Sequence, residues 1–254
     1  MSKEQFKPIP VRPSSEGPML FRVRCLVDLQ LGTIVKHLRP ALKAMEGRVL
    51  DVGAGESPWR AWLPETANYH GVDICHASDF GMRPERKDIT YYDGNIIPFD
   101  EATFDGAICI EVLEHAENPE LCLSEIARVL KSRAPLLISV PWSARRHHTP
   151  HDYHRFTRER LQILLEMNGF NEIDIVERGN DIGVVASKLI VITARLIPVR
   201  PTWRTLVTLP LAVLCAPLSL VFLAAAHVSE ALGLGSKDDP LGYFVKARRI
   251  PRDG

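Results

Sequence analysis

The sequence predicts an α/β fold, a doubly wound, mostly parallel sheet of the Rossmann-like kind with helices on both faces. Three observations predict it. Apolar runs of strand length alternate with stretches of helical spacing over residues 48–176, and such alternation builds a parallel sheet covered on both sides. The first run ends in Val49-Leu50-Asp51-Val52-Gly53-Ala54-Gly55-Glu56-Ser57, a buried strand followed by a sharp glycine turn. The length of 254 residues suits one such domain with an elaboration.

The elements follow in order. Residues 19–45 read as helical, with a break near Pro40. A strand at 48–52 leads into the glycine turn. A helix is expected from about Pro58, because proline is well placed in a first helical turn. Residues 69–74 and 89–92 read as the second and third strands. Residues 104–110 form the fourth, whose apolar character suits a central position. Residues 119–130 have helical spacing, with Leu121, Ile126 and Leu130 on the apolar side. The fifth strand is 134–140. Thr157 is a good N-cap for a helix ending near Gly169, a C′ glycine. Residues 172–176 read as the sixth strand. There is no internal repeat.

Composition narrows the function. The formal net charge is zero, so no basic field points to nucleic acid as a partner. The five cysteines are scattered, with no Cys-x-x-Cys pair, which fits a reducing compartment and argues against a disulfide framework or a zinc site. The polar, proline-bearing N-terminus lacks the apolar core of a signal peptide and reads as a loose tail. One stretch is anomalous: residues 205–226 contain no charged side chain.

In a sheet of this kind ligands sit beyond the carboxyl ends of the strands, where strand order switches. Asp51, Gly53 and Gly55 fall at that edge and form the rim of a nucleotide pocket. Asp73 follows at about the 20-residue separation at which an acid meets ribose hydroxyls. A dinucleotide site needs a third glycine, but Pro58 stands at that position. Its ring hinders close helix–strand packing, so a cofactor without a pyrophosphate is expected.

In combination these motifs resemble the S-adenosylmethionine (SAM) site of class I methyltransferases of the type 11 kind, over residues 48–170. Asp93-Gly94-Asn95-Ile96-Ile97-Pro98-Phe99 resembles the family's adenine loop. The resemblance implies that Asp93 accepts from the adenine amino group and that Gly94 offers a backbone N–H to a ring nitrogen. Residues 104–108 resemble the fourth strand, and Glu111-Val112-Leu113-Glu114-His115 the turn that lines the methyl-transfer site. Within that turn Glu111 is a cofactor-binding candidate, and His115 is read as packing and hydrogen-bonding the loop. Ser57 departs from the family's pattern, where many members carry a third glycine.

After the fifth strand comes a loop rich in histidine, with His147, His148, His151 and His154 among its polar residues. In this fold it closes over the acceptor. Its His-Asp-Tyr-x-Arg-Phe-Thr pattern resembles methyltransferases of bacterial polysaccharide and lipid-linked sugar synthesis. A hydroxyl acceptor needs a base, and histidine titrates near neutral pH. His151 is the first catalytic candidate, one helical turn from His154. Asp152 is the second, either orienting a ring or acting as the base. A metal site and a solvated polar lid remain alternative readings of the loop, and no residue is assigned as a metal ligand.

Residues 241–248 resemble the family's seventh strand, which inserts antiparallel beside the fifth. The long separation from the sixth strand makes 181–238 an insertion. Its first half carries Asp181, Lys188 and Arg195 on one helical face, an amphipathic pattern suited to an interface. Its second half is long enough to cross a bilayer, which takes ~20 apolar residues, with Pro210 and Pro217 expected to kink it. Strands six and seven must meet in one sheet, so the insertion leaves and returns on one side. This favours a monotopic, re-entrant or in-plane hairpin, with Arg200 and Arg204 facing anionic headgroups. The alternative is an apolar pair buried in a dimer or under the sheet.

These readings divide the chain into a flexible tail (1–18), a SAM-binding core (19–180), the apolar insertion (181–238) and the terminal strand with its tail (239–254). They imply methyl transfer from SAM to a hydroxyl of an amphipathic, lipid-linked or glycan acceptor. The expected place is the cytoplasmic face of a membrane, bound peripherally or monotopically, with no nucleic-acid partner. Methylation of an isoprenoid quinone or other small lipid is a second reading. A non-catalytic SAM-fold module that recruits partners to a membrane is a third.

Overall fold

Successive residues of the first strand face opposite sides of the sheet, and both sides are buried. Val49 packs with Ile108, Ile110, Leu137 and Phe244 on one face, while Leu50 and Val52 pack with Ala107, Cys109, Leu136 and Ile138 on the other. A strand apolar on both faces needs helices above and below. The computed structural model, which describes residues 8–75, 86–198 and 202–251, supplies them.

Seven strands are present: β1 (Gly47–Val52), β2 (Ala67–Ile74), β3 (Ile89–Tyr92), β4 (Gly106–Ile110), β5 (Pro135–Pro141), β6 (Phe170–Arg178) and β7 (Gly242–Arg249). Their order is β3-β2-β1-β4-β5-β7-β6. The first five run parallel, and β7 is antiparallel to both β5 and β6. The order reverses between β1 and β4, which places the expected crevice at their carboxyl ends. Helices α1 (Pro18–Val27) and α2 (Leu29–Leu42) precede the sheet, and Leu31, Ile34, Leu38 and Leu42 of α2 pack on the Val49 side. Helices α3 (Pro119–Val129) and α4 (Arg158–Met167) cover the other side through Leu123, Ile126, Leu161, Leu164 and Leu165. Thr157 caps α4 by accepting from the Arg160 N–H, and Gly169 follows the helix with φ +85°.

Three expectations need correction. The helical break lies at Asp28, not Pro40: Asp28 is extended and its side chain accepts from the Leu31 N–H, so it caps a new helix. Pro40 sits in the last turn of α2, which ends two residues later. The helix expected from Pro58 is a single 3-10 turn at Arg60–Trp62. Pro64 forces Leu63 into an extended conformation, so the stretch between the two prolines is too short for a helix. Its Trp59 instead packs into the core beside Leu38 and Val49. Within the tail, Arg24 donates to the Ile9 and Pro10 carbonyls and Trp62 Nε1 donates to Ser14 Oγ. Residues 9–14 are therefore tied to the body, while residues 1–7 lie outside the described ones.

The insertion is a helical hairpin, α5 (Asp181–Leu196) against α6 (Thr205–Leu232). Helix α6 continues through Pro210 and Pro217. Its most apolar window has a mean hydropathy of 2.4 and is only 11% buried. Leu206, Val213, Leu214, Leu220 and Val221 are each more than 60% exposed, which removes the alternative of a pair packed under the sheet. The root of the hairpin is fixed by Leu29, Val184, Ala186, Ala226 and Leu241 and by Asn180, which donates to Ser229 Oγ and the Leu234 carbonyl.

The hairpin leaves the sheet where Arg178 pairs with Gly242, and Gly242 also pairs with Pro141 at the carboxyl end of β5. The insertion therefore emerges from the same edge as the glycine turn. The Arg178 side chain is wholly buried there. It donates to Glu111 Oε1 (2.9 Å), the Val140, Tyr243 and Gln30 carbonyls and Thr33 Oγ1. A Cβ at Gly242 would lie 2.3 Å from its Nη2 and 2.4 Å from the Val140 carbonyl, so only glycine leaves room for the guanidinium.

Removing one partner of a buried ion pair strands the other and typically costs ~3–5 kcal/mol. Arg178→Met is therefore expected to lower the free energy of unfolding by about 3 kcal/mol, read from the urea midpoint. A change below about 0.5 kcal/mol, the range of neutral surface substitutions, would show that the pair carries no weight.

Candidate functional site

At the end of β1 the chain must turn sharply, and its residues are chosen for that. Gly53 has φ +69°, and a Cβ there would lie 2.4 Å from Val112 Cγ2 at the tip of β4. The Gly53 and Ala54 N–H groups both donate to the Val72 carbonyl. Gly55 has φ +49° and Ser57 φ +52°. Ser57 thus adopts the left-handed backbone that a third glycine would take freely, at some conformational cost.

Asp73, at the end of β2, closes the turn from the other side. Its Oδ2 accepts from the Gly55 N–H and its Oδ1 from the Ile74 N–H, both at 2.8 Å. Burial raises its pKa, and these two N–H groups pull the other way. A mostly buried carboxylate held by the glycine turn has acceptor capacity left for a diol. Asp51 lies behind it, almost without exposure. Its Oδ2 accepts from the Tyr69 hydroxyl at 2.8 Å, and that hydroxyl is 2.9 Å from Ser57 Oγ. Burial pushes the Asp51 pKa up to about 7, with the Tyr69 bond opposing and the Asp73 charge adding. Asp51 therefore supports the turn from within, rather than reaching the pocket.

Asp93 and Gly94 follow β3. Asp93 is exposed and accepts from the Asn95 N–H and side chain and from the Ile96 N–H. Those bonds lower its pKa and fix the turn, and Gly94 has φ +87°. Glu111, just past β4, has φ +57°. Its N–H donates to the Ser139 carbonyl, and its Oε1 accepts from Ser139 Oγ (2.7 Å) and Arg178. Oε1 is thus committed to the protein. The residues predicted for the cofactor are brought to one edge by four strand ends.

The loop after β5 folds onto the turn after β4. The Tyr153 and His154 N–H groups donate to the Glu114 carbonyl. His115 Nδ1 bonds the His151 carbonyl, His154 Nε2 bonds the Ala116 carbonyl, and the Tyr153 hydroxyl donates to Glu117 Oε1. No helical turn forms over 151–156, so the expected pairing of His151 with His154 on one helical side does not arise. His151 Nδ1 lies 3.1 Å from the Tyr153 hydroxyl. The Asp152 side chain is 2% exposed and pairs with Arg155 through both oxygens (2.6 and 2.9 Å), while also accepting from the His147 N–H. Burial alone would raise its pKa, but Arg155 and that N–H hold it below the usual carboxylate range. The geometry speaks against the base role: both oxygens are occupied by Arg155 and the His147 N–H, and a depressed pKa makes a weak base.

Several residues of the site carried no assigned role in the sequence. Arg178 and Ser139 hold Glu111, Tyr69 holds Asp51, and Arg155 holds Asp152. Glu114 is fully buried, and neither of its carboxylate oxygens has a hydrogen-bond partner among the described residues. Burial, and then the Glu111 charge, hold it well above the usual carboxylate range. Burial likewise pushes His115 down to about 4, so its ring is neutral at neutral pH. No local pattern marks these residues, because their partners lie in other strands.

Residues 50–138 match the family described as a methyltransferase domain. The chain is 27% identical to the O-methyltransferase resE of Aspergillus sclerotiorum, over 65% of this chain and 67% of that protein. It is 23% identical to an O-methyltransferase of Aspergillus nomiae, over 63% of this chain and 81% of that one. Among solved structures it shares its fold with a Thermotoga maritima SAM-dependent methyltransferase described as a possible histamine N-methyltransferase (TM-score 0.52, 16% identity, 92% of this chain and 94% of that chain). A putative methyltransferase solved with the Haloferax volcanii Trm112 activator has the same fold (TM-score 0.52, 17% identity, 96% and 99%).

The raised Asp51 pKa has a sign that can be checked. In the unfolded chain an aspartate titrates near ~3.9, so the folded state holds the proton more tightly. The stabilisation from the neutral carboxyl is complete below about pH 4 and is lost as pH rises towards 7, at ~1.4 kcal/mol per unit. Asp51→Asn, which mimics the neutral form, should lack this slope. The stability difference between the two proteins, from denaturant curves, should change by roughly 4 kcal/mol from pH 4 to pH 7. Parallel pH profiles would remove Asp51 from this role.

Proposed function

We propose that this class I SAM-dependent methyltransferase transfers its methyl group to a hydroxyl of an amphipathic or lipid-linked acceptor, a glycan hydroxyl first among them, at the cytoplasmic face of a membrane. The observation that carries the reading is the exposed apolar hairpin rooted at the carboxyl edge of the sheet, the edge that also carries the glycine turn. The O-methyltransferase relatives support an oxygen acceptor. The resemblance of the histidine loop to lipid-linked sugar methyltransferases supports a glycan.

When bound, SAM supplies an activated methyl group for an in-line displacement. The chain has to position both partners and handle one proton. Gly53 and Gly55 let the backbone approach the cofactor, with no Cβ to meet Val112. Asp73, held by the Gly55 and Ile74 N–H groups, accepts from the ribose hydroxyls. The Asp93–Gly94 turn would receive the adenine, and the Glu111 turn would border the reactive end of the cofactor. The histidine loop, anchored on Glu114 and His115, covers the acceptor. His151 takes the proton from the acceptor hydroxyl, and Asp152 keeps its place in the loop through Arg155.

The hairpin suits an interface better than a crossing. Helix α5 has 16 residues, about 24 Å at 1.5 Å per residue, short of the ~30 Å hydrocarbon core. Its Lys188 and Arg195 are exposed and would each cost ~2.5–3.5 kcal/mol near a bilayer centre. Trp203 is 75% exposed at the start of α6, with the Arg204 guanidinium over its ring, a pairing suited to the headgroup level. Arg200 lies outside the described residues. Helix α1 extends the apolar surface: Met19, Leu20, Val23 and Leu26 are more than half exposed, and His227 of α6 bonds the Leu26 carbonyl. The α5–α6 hairpin would therefore lie in the interface or re-enter it.

Two measurements test the reading. Asp73→Ala should weaken SAM binding by calorimetry about ten- to hundredfold, as loss of hydrogen bonds to a charged group costs roughly 1.5–3 kcal/mol; unchanged affinity would remove Asp73 from the ribose site. The intact chain should sediment with membranes. Leu214→Glu with Val221→Glu should release it, as should joining Arg178 to Asp239 by a short glycine-rich loop, and both variants should still bind SAM. An intact chain that is soluble without detergent, with a deletion that aggregates, would overturn membrane docking in favour of a buried interface.

A further inference from the structure

We propose that His115, His147 and His148 form a binding site for a divalent transition-metal ion of the zinc class, set in the loop that covers the acceptor. One nitrogen from each ring lies within 4.8 Å of the others. Tetrahedral ligation at ~2.0–2.1 Å puts donor nitrogens about 3.4 Å apart, so an ion needs the rings to close by little more than an ångström. The His115 and His147 side chains are mostly buried, 11% and 16% exposed, so an ion held there would be largely shielded from water.

The arrangement is built rather than incidental. His115 Nδ1 faces the His151 carbonyl, and His147 Nδ1 faces the Arg145 carbonyl at 3.0 Å. A carbonyl only accepts, so both rings carry their proton on Nδ1 and hold the lone pair on Nε2. A backbone carbonyl on the second ring nitrogen is the usual way a metal-binding imidazole is oriented. Consecutive side chains of an extended chain point to opposite sides. Here His148 has φ +52°, a left-handed conformation that is uncommon outside glycine and often sits at functional sites. It brings the His147 and His148 rings to 4.8 and 5.2 Å from the His115 ring.

A second, independent observation lies beside the cluster. The Glu114 carboxyl is fully buried and both its oxygens lack a hydrogen-bond partner among the described residues, a costly state for a polar group. Its Oε1 is 3.7 Å from His115 Nε2, so a cation held by that ring would stand next to it. Asp152 adds a further carboxylate, 3.6 Å from His147 Nδ1. Three imidazoles with a neighbouring carboxylate select zinc, cobalt or nickel over the harder magnesium and calcium. Three protein nitrogens also leave a coordination position for an incoming oxygen. That the oxygen is the acceptor hydroxyl rests on the proposed O-methyl transfer, whereas the ion site itself does not.

The test uses the full chain, stripped of metal and titrated with Co²⁺ and then Zn²⁺. Expected are one Co²⁺ per chain, visible bands of nitrogen-ligated cobalt, and loss of those bands when Zn²⁺ displaces it. His147→Ala and His148→Ala should each weaken binding by roughly tenfold or more, since even supporting residues of metal sites carry that much. His154→Ala, on the same loop but bonded to the Ala116 carbonyl, should leave the cobalt affinity unchanged. SAM calorimetry on the same samples reports the fold and the cofactor site: Co²⁺ binding without SAM binding would sink the transferase reading and leave the metal site standing. No saturable Co²⁺ binding, or binding that survives in the His147→Ala/His148→Ala double variant, would overturn the proposal.

Discussion

A buried guanidinium holds this molecule's functional edge together. Arg178 has no solvent contact, so its charge must be met inside the protein, and burial pushes its pKa down against the pull of Glu111. Its donors reach Glu111 at the tip of β4, the Val140 carbonyl of β5, the Tyr243 carbonyl of β7, and the Gln30 carbonyl and Thr33 hydroxyl of α2. One side chain thereby ties three strands and a helix at the carboxyl end of the sheet. The left-handed backbone at Glu111 persists because its N–H is bound to Ser139 and its carboxylate to Arg178. Arg178 is also the last residue of β6 before the hairpin. The same ion pair that fixes the Glu111 turn fixes the root of the apolar insertion.

That coupling decides how the two halves relate. An insertion between β6 and the antiparallel β7 could only begin and end at the carboxyl edge, because β6 runs parallel to β5. The root of the hairpin and the glycine turn therefore share the carboxyl edge of the sheet. Glycine at 242 is part of the same constraint, as any Cβ would meet Arg178 and the Val140 carbonyl.

The histidine loop is held by backbone contacts more than by its own sequence pattern. Its N–H groups reach the Glu114 carbonyl, and its carbonyls orient His115 and His147. Asp152 and Arg155 close it with a two-point ion pair. The loop is thus held at several points by the elements beside it, and backbone carbonyls set the tautomers of His115, His147 and His154.

The alternation of strand and helix and the glycine turn were legible from the sequence, because each rests on local periodicity or on a residue type a backbone angle demands, and the antiparallel last strand was legible through its resemblance to the family's seventh strand. Gly53, Gly55 and Gly94 all take positive φ, and no partner needs to be known to predict that. The apolar insertion was legible for the same reason, since 205–226 lacks charge in any fold. Where local rules misled, a tertiary contact had won. Trp59 entered the core and a second proline followed, so no helix formed after the glycine turn; Asp28, not Pro40, divided the first helices. The partners of Glu111, Asp51 and Asp152, and the meeting of His115 with His147 and His148, were decided only by the tertiary structure. Those contacts join residues brought together by strand order and loop return, and a linear pattern carries no record of which charge will face which once the sheet is assembled.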